Sequence, residues 1–409
     1  MINSGDTAWV LISSALVLLM TPGLAFFYGG MVRKKNILSV LMQCFIIMCV
    51  LSIQWVLFGY SLAFHPSQGF WGGFAWAGLN GVGLEPYADY AGTIPHQAFM
   101  IFQAMFAIIT PALIIGAFAE RMKFSAFLLF TLLWATFVYD PVCNWVWGMG
   151  GWLRVKGALD FAGGTVVHIN AGIAALVTAL VIGRRKNLEK NVPTPHNMPF
   201  VVLGTGLLWF GWFGFNAGSA LAANGLAVNA FVVTNTSAAA AGLSWALIEW
   251  LHNGKPTIFG VCSGAVAGLV AITPAAGFVG VVPAMIIGLL VSVFCFMAVT
   301  IIKPKLGYDD SLDAFGVHCV GGIWGALATG LFASKALNPA GADGLFFGNP
   351  QQFLIQLFTV LVTVGYAVIV TLVIYKVVDL ILGVRVEETD ESVGLDLTQH
   401  RERAYTVLE

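Results

Sequence analysis

Eleven long apolar runs, most of them joined by short polar loops, occupy nearly the whole chain. They cover residues 8–32, 38–62, 96–119, 124–148, 161–182, 199–221, 229–251, 257–277, 280–302, 313–333 and 352–382. A membrane-crossing helix needs about 20 predominantly apolar residues, so each run reads as a span. Many contain Gly, Pro or Thr, which packed membrane helices tolerate because neighbours re-satisfy the backbone. The expected fold is an all-α integral membrane protein with 11 transmembrane helices.

Composition excludes the other broad classes. Of 409 residues, 58% are hydrophobic and only 10% charged, where a soluble domain carries about 25% charged residues. A soluble enzyme or a disordered chain would need polar surface that is not there. The net charge of -1 gives no attraction to nucleic acid. The 47 glycines and 13 tryptophans suit close helix packing and interfacial belts. Cys44, Cys49, Cys143, Cys262, Cys295 and Cys319 lie in apolar runs without metal-knuckle spacing and read as small buried hydrophobes. No cofactor or metal is expected. The first run is too long for a signal-peptide core and is followed, not preceded, by basic residues.

Basic residues set the orientation. Arg33, Lys34, Lys35, Arg121, Lys123, Arg184, Arg185, Lys186, Lys190, Lys255, Lys303, Lys305, Lys376, Arg385, Arg401 and Arg403 fall on one side, 16 of 19; only Arg154, Lys156 and Lys335 fall on the other. The positive-inside rule makes the majority side cytoplasmic, with the N-terminus out and the C-terminus in. Loops are short except near 63–95 and 334–351. Residues 1–383 read as one membrane domain and 384–409 as a cytoplasmic tail.

The pattern V-H-x-x-x-G-I occurs twice, at Val167-His168 to Gly172-Ile173 and at Val317-His318 to Gly322-Ile323, with Asp160 and Asp310 eight residues before each histidine. The copies lie five spans apart, so they cross the membrane in opposite directions. That is an inverted-topology repeat, spans 1–5 against 6–10 with span 11 extra, whose site belongs near the midplane.

His168 and His318 are the two histidines inside spans, where an ionisable group is costly and a functional hypothesis by default. The plain alternative is a satisfied packing residue. Two neutral imidazoles can share a hydrogen bond and still meet a small polar solute. Asp160 heads span five as a loop-pinning carboxylate or, alternatively, a cation ligand. Phe102 and Phe106, Trp147, and the Trp212, Phe215, Ser219 face of span six all converge on the outer side. Singly, each is core or interfacial belt; together, aromatic faces with a hydroxyl suit a small desolvated cation.

The run from Asp160 through His168 to Gly172 resembles the signature of the ammonium transporter (Amt/Mep/Rh) family. So do Gly211 through Ser219, Pro22 through Gly30, Ala119-Glu120-Arg121, Asp313 through His318, and the tail from Gly394 to Tyr405. The resemblance implies an outer ammonium-recruiting site at Trp147, Ser219 and Phe106, with Asp160 holding it in shape. It implies a stacked phenyl gate of Phe106 and Phe215, and a pore lined by His168 and His318, with Trp212 beside them. It further implies a homotrimer and, on the cytoplasmic face, a PII-type signal protein as partner. Asn144 before Trp145 and Arg401 after His400 depart from the family pattern.

The expected function is therefore transport of ammonium or ammonia, with methylammonium as an analogue, across the cell's inner (plasma) membrane. NH4+ would be captured outside, deprotonated, and conducted as NH3 past the histidines, with the proton left behind or carried by a separate route. Potassium would be excluded because it has no proton to lose. An ammonium sensor with the same fold is the alternative. An enzyme is not expected, since no nucleophile–base set or metal cluster is present, and a general proton-coupled carrier is disfavoured by the small pore.

Overall fold

The computed structural model describes residues 1–66, 69–186 and 194–405. Lys190 and tail residues 406–409 lie outside the described residues. Helices follow the apolar runs: α1 (Ser4–Met31), α2 (Ile37–Phe64), α3 (His96–Phe118), α4 (Phe124–Val155), α5 (Gly164–Ile182), α6 (Met198–Ala220), α7 (Gly225–Asn253), α8 (Ile258–Ile272), α9 (Val281–Leu306), α10 (Phe315–Phe332) and α11 (Pro350–Leu382). Among the described residues there is no strand beyond one isolated bridge, Met122 to Arg385.

Ten of these helices are long and apolar enough to cross a membrane; α8, with 15 residues, is shorter. Its early end has a local cause. Pro274 carries no backbone N–H, and helices tend to stop before a proline. The freed Pro274 carbonyl accepts the N–H of Phe161. Polar side chains fix several helix starts: Asn3 accepts from Asp6 N, Asn224 from Leu226 N and Ala227 N, and Thr257 from Gly260 N. Gly148 caps the membrane-crossing part of α4 directly after Trp147.

Packing places α3 at the centre and α11 at the edge, with 94% and 33% of their apolar windows buried. α1 lies along α6, α5 crosses α10, and α3 packs on α5 as α8 packs on α10. The two histidine segments share a local construction. Each is a π-helical turn, Gly164–Ile169 and Phe315–Cys319, at the start of its helix; such turns recur at functional positions in helices. The crossing is close because of two glycines. A Cβ on Gly172 would lie 2.4 Å from the backbone N of Cys319, and one on Gly322 would lie 3.0 Å from Ile169 and 3.1 Å from His168 Cβ. Small residues permit such backbone approach between membrane helices.

The tail folds back on the face that carries most of the basic residues. Helix α12 (Glu388–Val393) and α13 (Leu395–His400) follow α11. Asn36 Oδ1 accepts the N–H of Leu395 and Asp396 Oδ1 accepts the N–H of Ser39, both at 2.8 Å. Val384 O accepts from Lys123 N. Beneath the tail, Arg185 pairs with Asp309 at 2.8 Å and with Glu120 at 3.3 Å, and Arg33 pairs with Glu120 at 2.7 Å. These pairs tie together the loops that leave α1, α3, α5 and α9.

Candidate functional site

Residues from many separate helices line four cavities through the middle of the bundle. At the face away from the tail, a cavity of about 140 Å³ is bounded by Phe106, Trp147, Ser219, Gln103, Phe161 and Arg154. Trp147 Nε1 donates to the Asp160 carbonyl at 2.8 Å, which fixes the indole edge-on to Phe106, centroids 5.7 Å apart and planes at 89°. Ser219 Oγ donates to Phe215 O at 2.8 Å. Its one proton is thereby used, and its lone pairs remain available to accept. Phe102 packs at the back of Phe106, at 5.0 Å and 71°, and is fully buried.

Asp160 does not present its carboxylate to this cavity as a free charge. Oδ1 accepts the N–H groups of Gly163 and Gly164 at 2.8 and 2.7 Å, and Oδ2 those of Thr165 and Val166 at 2.8 and 3.1 Å. The group satisfies the N–H of the capping residue Gly163 and the first three orphan donors of α5. Burial pushes its carboxyl pKa up, against the pull of these four donors. Asp310 stands in the equivalent position before α10, but only its Oδ2 is used, by Phe315 N at 2.7 Å. Burial raises the Asp310 carboxyl to about 6, with Lys303 pulling down and Asp313 pushing up.

The Phe106 and Phe215 rings close the floor of the cavity, centroids 4.4 Å apart and planes tilted by 41°. They touch but are not parallel. Below them lies a space of about 10 Å³ among Phe215, Trp212, His168, His318, Leu208 and Val266. This is the volume of about one water. A second space of about 10 Å³ shares Phe27, Val266 and His318 with the first and reaches Met31 and Asp313. Met31 and Asp313 also border a vestibule of about 770 Å³ on the tail side, with Arg184, Arg185, Lys303 and Glu249. These narrow spaces, lined mostly by apolar side chains, lie between the outer cavity and the tail-side vestibule.

The imidazoles of His168 and His318 lie near-parallel, centroids 5.4 Å apart and planes at 15°, and the Trp212 indole lies near-parallel to His168 at 5.4 Å and 19°. Trp212 is held by its Nε1, which donates to Thr273 Oγ1 at 2.9 Å. The hydrogen bond expected between the two histidines is absent. Both nitrogens of His168 and Nδ1 of His318 are buried without a protein partner. The backbones of α5 and α10 approach closely at Gly172 and Gly322, and the two rings beside this crossing lie near-parallel with centroids 5.4 Å apart. Buried unpartnered polar atoms are costly and rare, so atoms of this kind lining a cavity call for a small polar solute.

The structure therefore brings together Trp147, Ser219, Phe106, Phe215, Trp212, His168 and His318 along one path, with Asp160 behind its mouth. Sequence reasoning missed Gln103, whose Oε1 is buried without a partner at the outer cavity. Its spacing of three from Phe106 was the available signal. It also missed Arg154, Phe27, Met31 and the tail-side vestibule, which no spacing marks.

Comparison with known proteins bears on the family and the fold. A model of the Ammonium Transporter Family matches residues 8–405. An ammonium transporter of Bacillus subtilis is 56% identical over 401 residues, covering 98% of each chain. The crystal structure of Saccharomyces cerevisiae Mep2 superposes with a TM-score of 0.89 at 36% identity, over 94% of this chain and 88% of that one. A structure described as a sensor Amt protein gives a TM-score of 0.88 at 28% identity, over 97% and 98%.

Proposed function

The chain belongs to the Ammonium Transporter Family, and from that premise we propose that it moves ammonium nitrogen across the membrane by capturing NH4+, removing its proton and passing NH3 along His168 and His318. The carrying observation is the set of unpartnered imidazole nitrogens in a space of about one water between apolar walls. An ion with its hydration shell cannot occupy that space. A bare cation there would carry a heavy desolvation cost. Ammonia is neutral, small, and able both to donate to and accept from a neutral imidazole.

In this reading the large face of basic residues is cytoplasmic, the short helix α8 completes eleven crossings, and the N-terminus lies outside. The equivalent packing of α3 on α5 and α8 on α10, and the shared π-turns, support an inverted repeat of α1–α5 and α6–α10 with α11 extra. Capture occurs where Trp147 and Phe106 offer aromatic faces and Ser219 offers lone pairs. Crossing Phe106 and Phe215 strips water from the ion. Asp160 acts by holding the start of α5, and through its carbonyl it also holds Trp147. Methylammonium is carried as an analogue, and potassium is rejected because it cannot lose a proton.

The working unit is a homotrimer in the plasma (inner) membrane, with residues 384–409 as a regulatory tail and a PII-type protein as the partner on that face. The sensor reading has one specific support, the structural likeness to a sensor Amt protein. A pulse of ammonium onto proteoliposomes on a solid-supported membrane separates these readings. Current means net charge moves with the nitrogen. A rise in lumenal pH without current means that NH3 crosses and the proton stays outside. Silence in both, with folded protein, overturns transport in favour of sensing.

A further inference from the structure

Arg154 is a cationic side chain at the mouth of a path that takes a cation. It lines the outer cavity of about 140 Å³ together with Trp147, Phe106 and Ser219. It also lines a second cavity of about 450 Å³ on the other side of Trp147, shared with Asp160 and Gln352. Its Nη1 donates to the Trp147 carbonyl at 2.5 Å, which ties the solvent-exposed guanidinium to the backbone of the recruiting residue. Asp160 does not pair with it, because both its carboxylate oxygens are taken by backbone N–H groups. The nearby Lys156 is directed elsewhere, its Nζ 5.1 Å from the Phe358 ring centre.

A fixed positive charge beside a cation site has two linked effects. It weakens binding of NH4+, and by the same free energy it favours NH3 over NH4+ at that place. We propose that Arg154 is an electrostatic determinant of the outer vestibule, trading ammonium affinity for easier loss of the proton. The inference rests on the transport reading above. In the step it assists, NH4+ gives one proton to water in the outer cavity and proceeds as NH3; nothing is oxidised or reduced. The charge acts through a solvated vestibule, so its influence is modest and screened by salt.

The test is uptake of labelled methylammonium into proteoliposomes, with ammonium as competitor, for wild type, Arg154→Gln and Arg154→Lys. Each is measured at low and at high choline chloride. At low ionic strength Arg154→Gln lowers the half-inhibiting ammonium concentration by about two- to five-fold and lowers the maximal rate. At high salt the affinity difference shrinks below about two-fold. Arg154→Lys, which keeps the charge, stays within about two-fold of wild type in both conditions. If Lys and Gln variants are equally impaired, Arg154 serves only to hold Trp147 and the proposal fails. A Gln effect that ignores salt, or that raises the half-inhibiting concentration, also overturns it. A wild type without uptake overturns the transport reading itself, a distinguishable result.

Discussion

His168 and His318 face one another across the crossing of α5 and α10, ring centroids 5.4 Å apart and planes 15° from parallel, with no hydrogen bond between them. Each histidine sits in a π-turn eight residues after an aspartate that caps its helix. The arrangement leaves polar atoms facing an otherwise apolar bore. It is the feature on which the rest of the path is organised.

The phenyl rings of Phe106 and Phe215 are not equivalent. Phe106 contacts Phe102, Trp147 and Phe215, whereas Phe215 also packs on His168 at 6.0 Å and on Trp212 at 5.4 Å. Truncating Phe215 removes its contact with Phe106 and also its packing against His168. Phe215→Ala is expected to lower methylammonium uptake at least about ten-fold, and Phe106→Ala by less, with core truncations of this type costing about 3–5 kcal/mol in stability. Uptake rates in proteoliposomes, with thermal unfolding measured alongside, check the ranking.

Asp160 holds four backbone donors at once. Asp160→Asn keeps one acceptor oxygen, and Asp160→Ala keeps none. Each buried donor left unsatisfied costs about 1–3 kcal/mol. Thermal stability in detergent should therefore fall in the order wild type, Asn, Ala, and uptake should fall in the same order. An Ala variant as stable as wild type would contradict the capping role.

The fold was legible in the sequence because the bilayer imposes length and hydropathy on every span, and the runs at 96–119 and 352–382 became α3 and α11 with nearly the expected ends. Span eight ended early because Pro274 outweighed hydropathy there. The histidines were legible because an ionisable group in an apolar run stands out twice at matched positions. Their mutual geometry was not, since it depends on how closely Gly172 and Gly322 let two helices approach. Gln103 and Arg154 were not singled out because a polar residue near a span end has many ordinary explanations, and only the cavity shows which one holds.

The two crossing glycines should differ in tolerance. A Cβ at position 172 meets backbone at 2.4 Å, which cannot yield locally, whereas at 322 the nearest atoms lie at 3.0 Å. Gly172→Ala is expected to lower thermal stability by about 1–3 kcal/mol, the range of an overpacked core, and more than Gly322→Ala does. Comparing the two variants by thermal unfolding and gel filtration tests the crossing directly.

The ion pairs under the tail predict a pH window. Burial alone would raise the Asp309 carboxyl, but its hydrogen bonds to Arg185 and the charge of Arg121 hold it at about 2. Its unfolded value is about 3.9. The folded value is the lower one, so the contribution is complete above about pH 4 and is lost as pH falls through about 2. It amounts to about 2–3 kcal/mol. Asp309→Asn should lower the melting temperature at pH 7, and its gap from wild type should narrow between about pH 4 and pH 2. A gap independent of pH would contradict the assignment.

In the proposed mechanism ammonia passes along His168 and His318. The most direct measurement is methylammonium uptake by proteoliposomes holding wild type, His168→Ala or His318→Ala, each shown to be folded by its melting temperature. Ammonium-inhibited uptake is expected in the wild type, with a loss of at least about ten-fold in both variants at unchanged stability, a barrier change of about 1.4 kcal/mol or more. Wild-type uptake in either stable variant would contradict it.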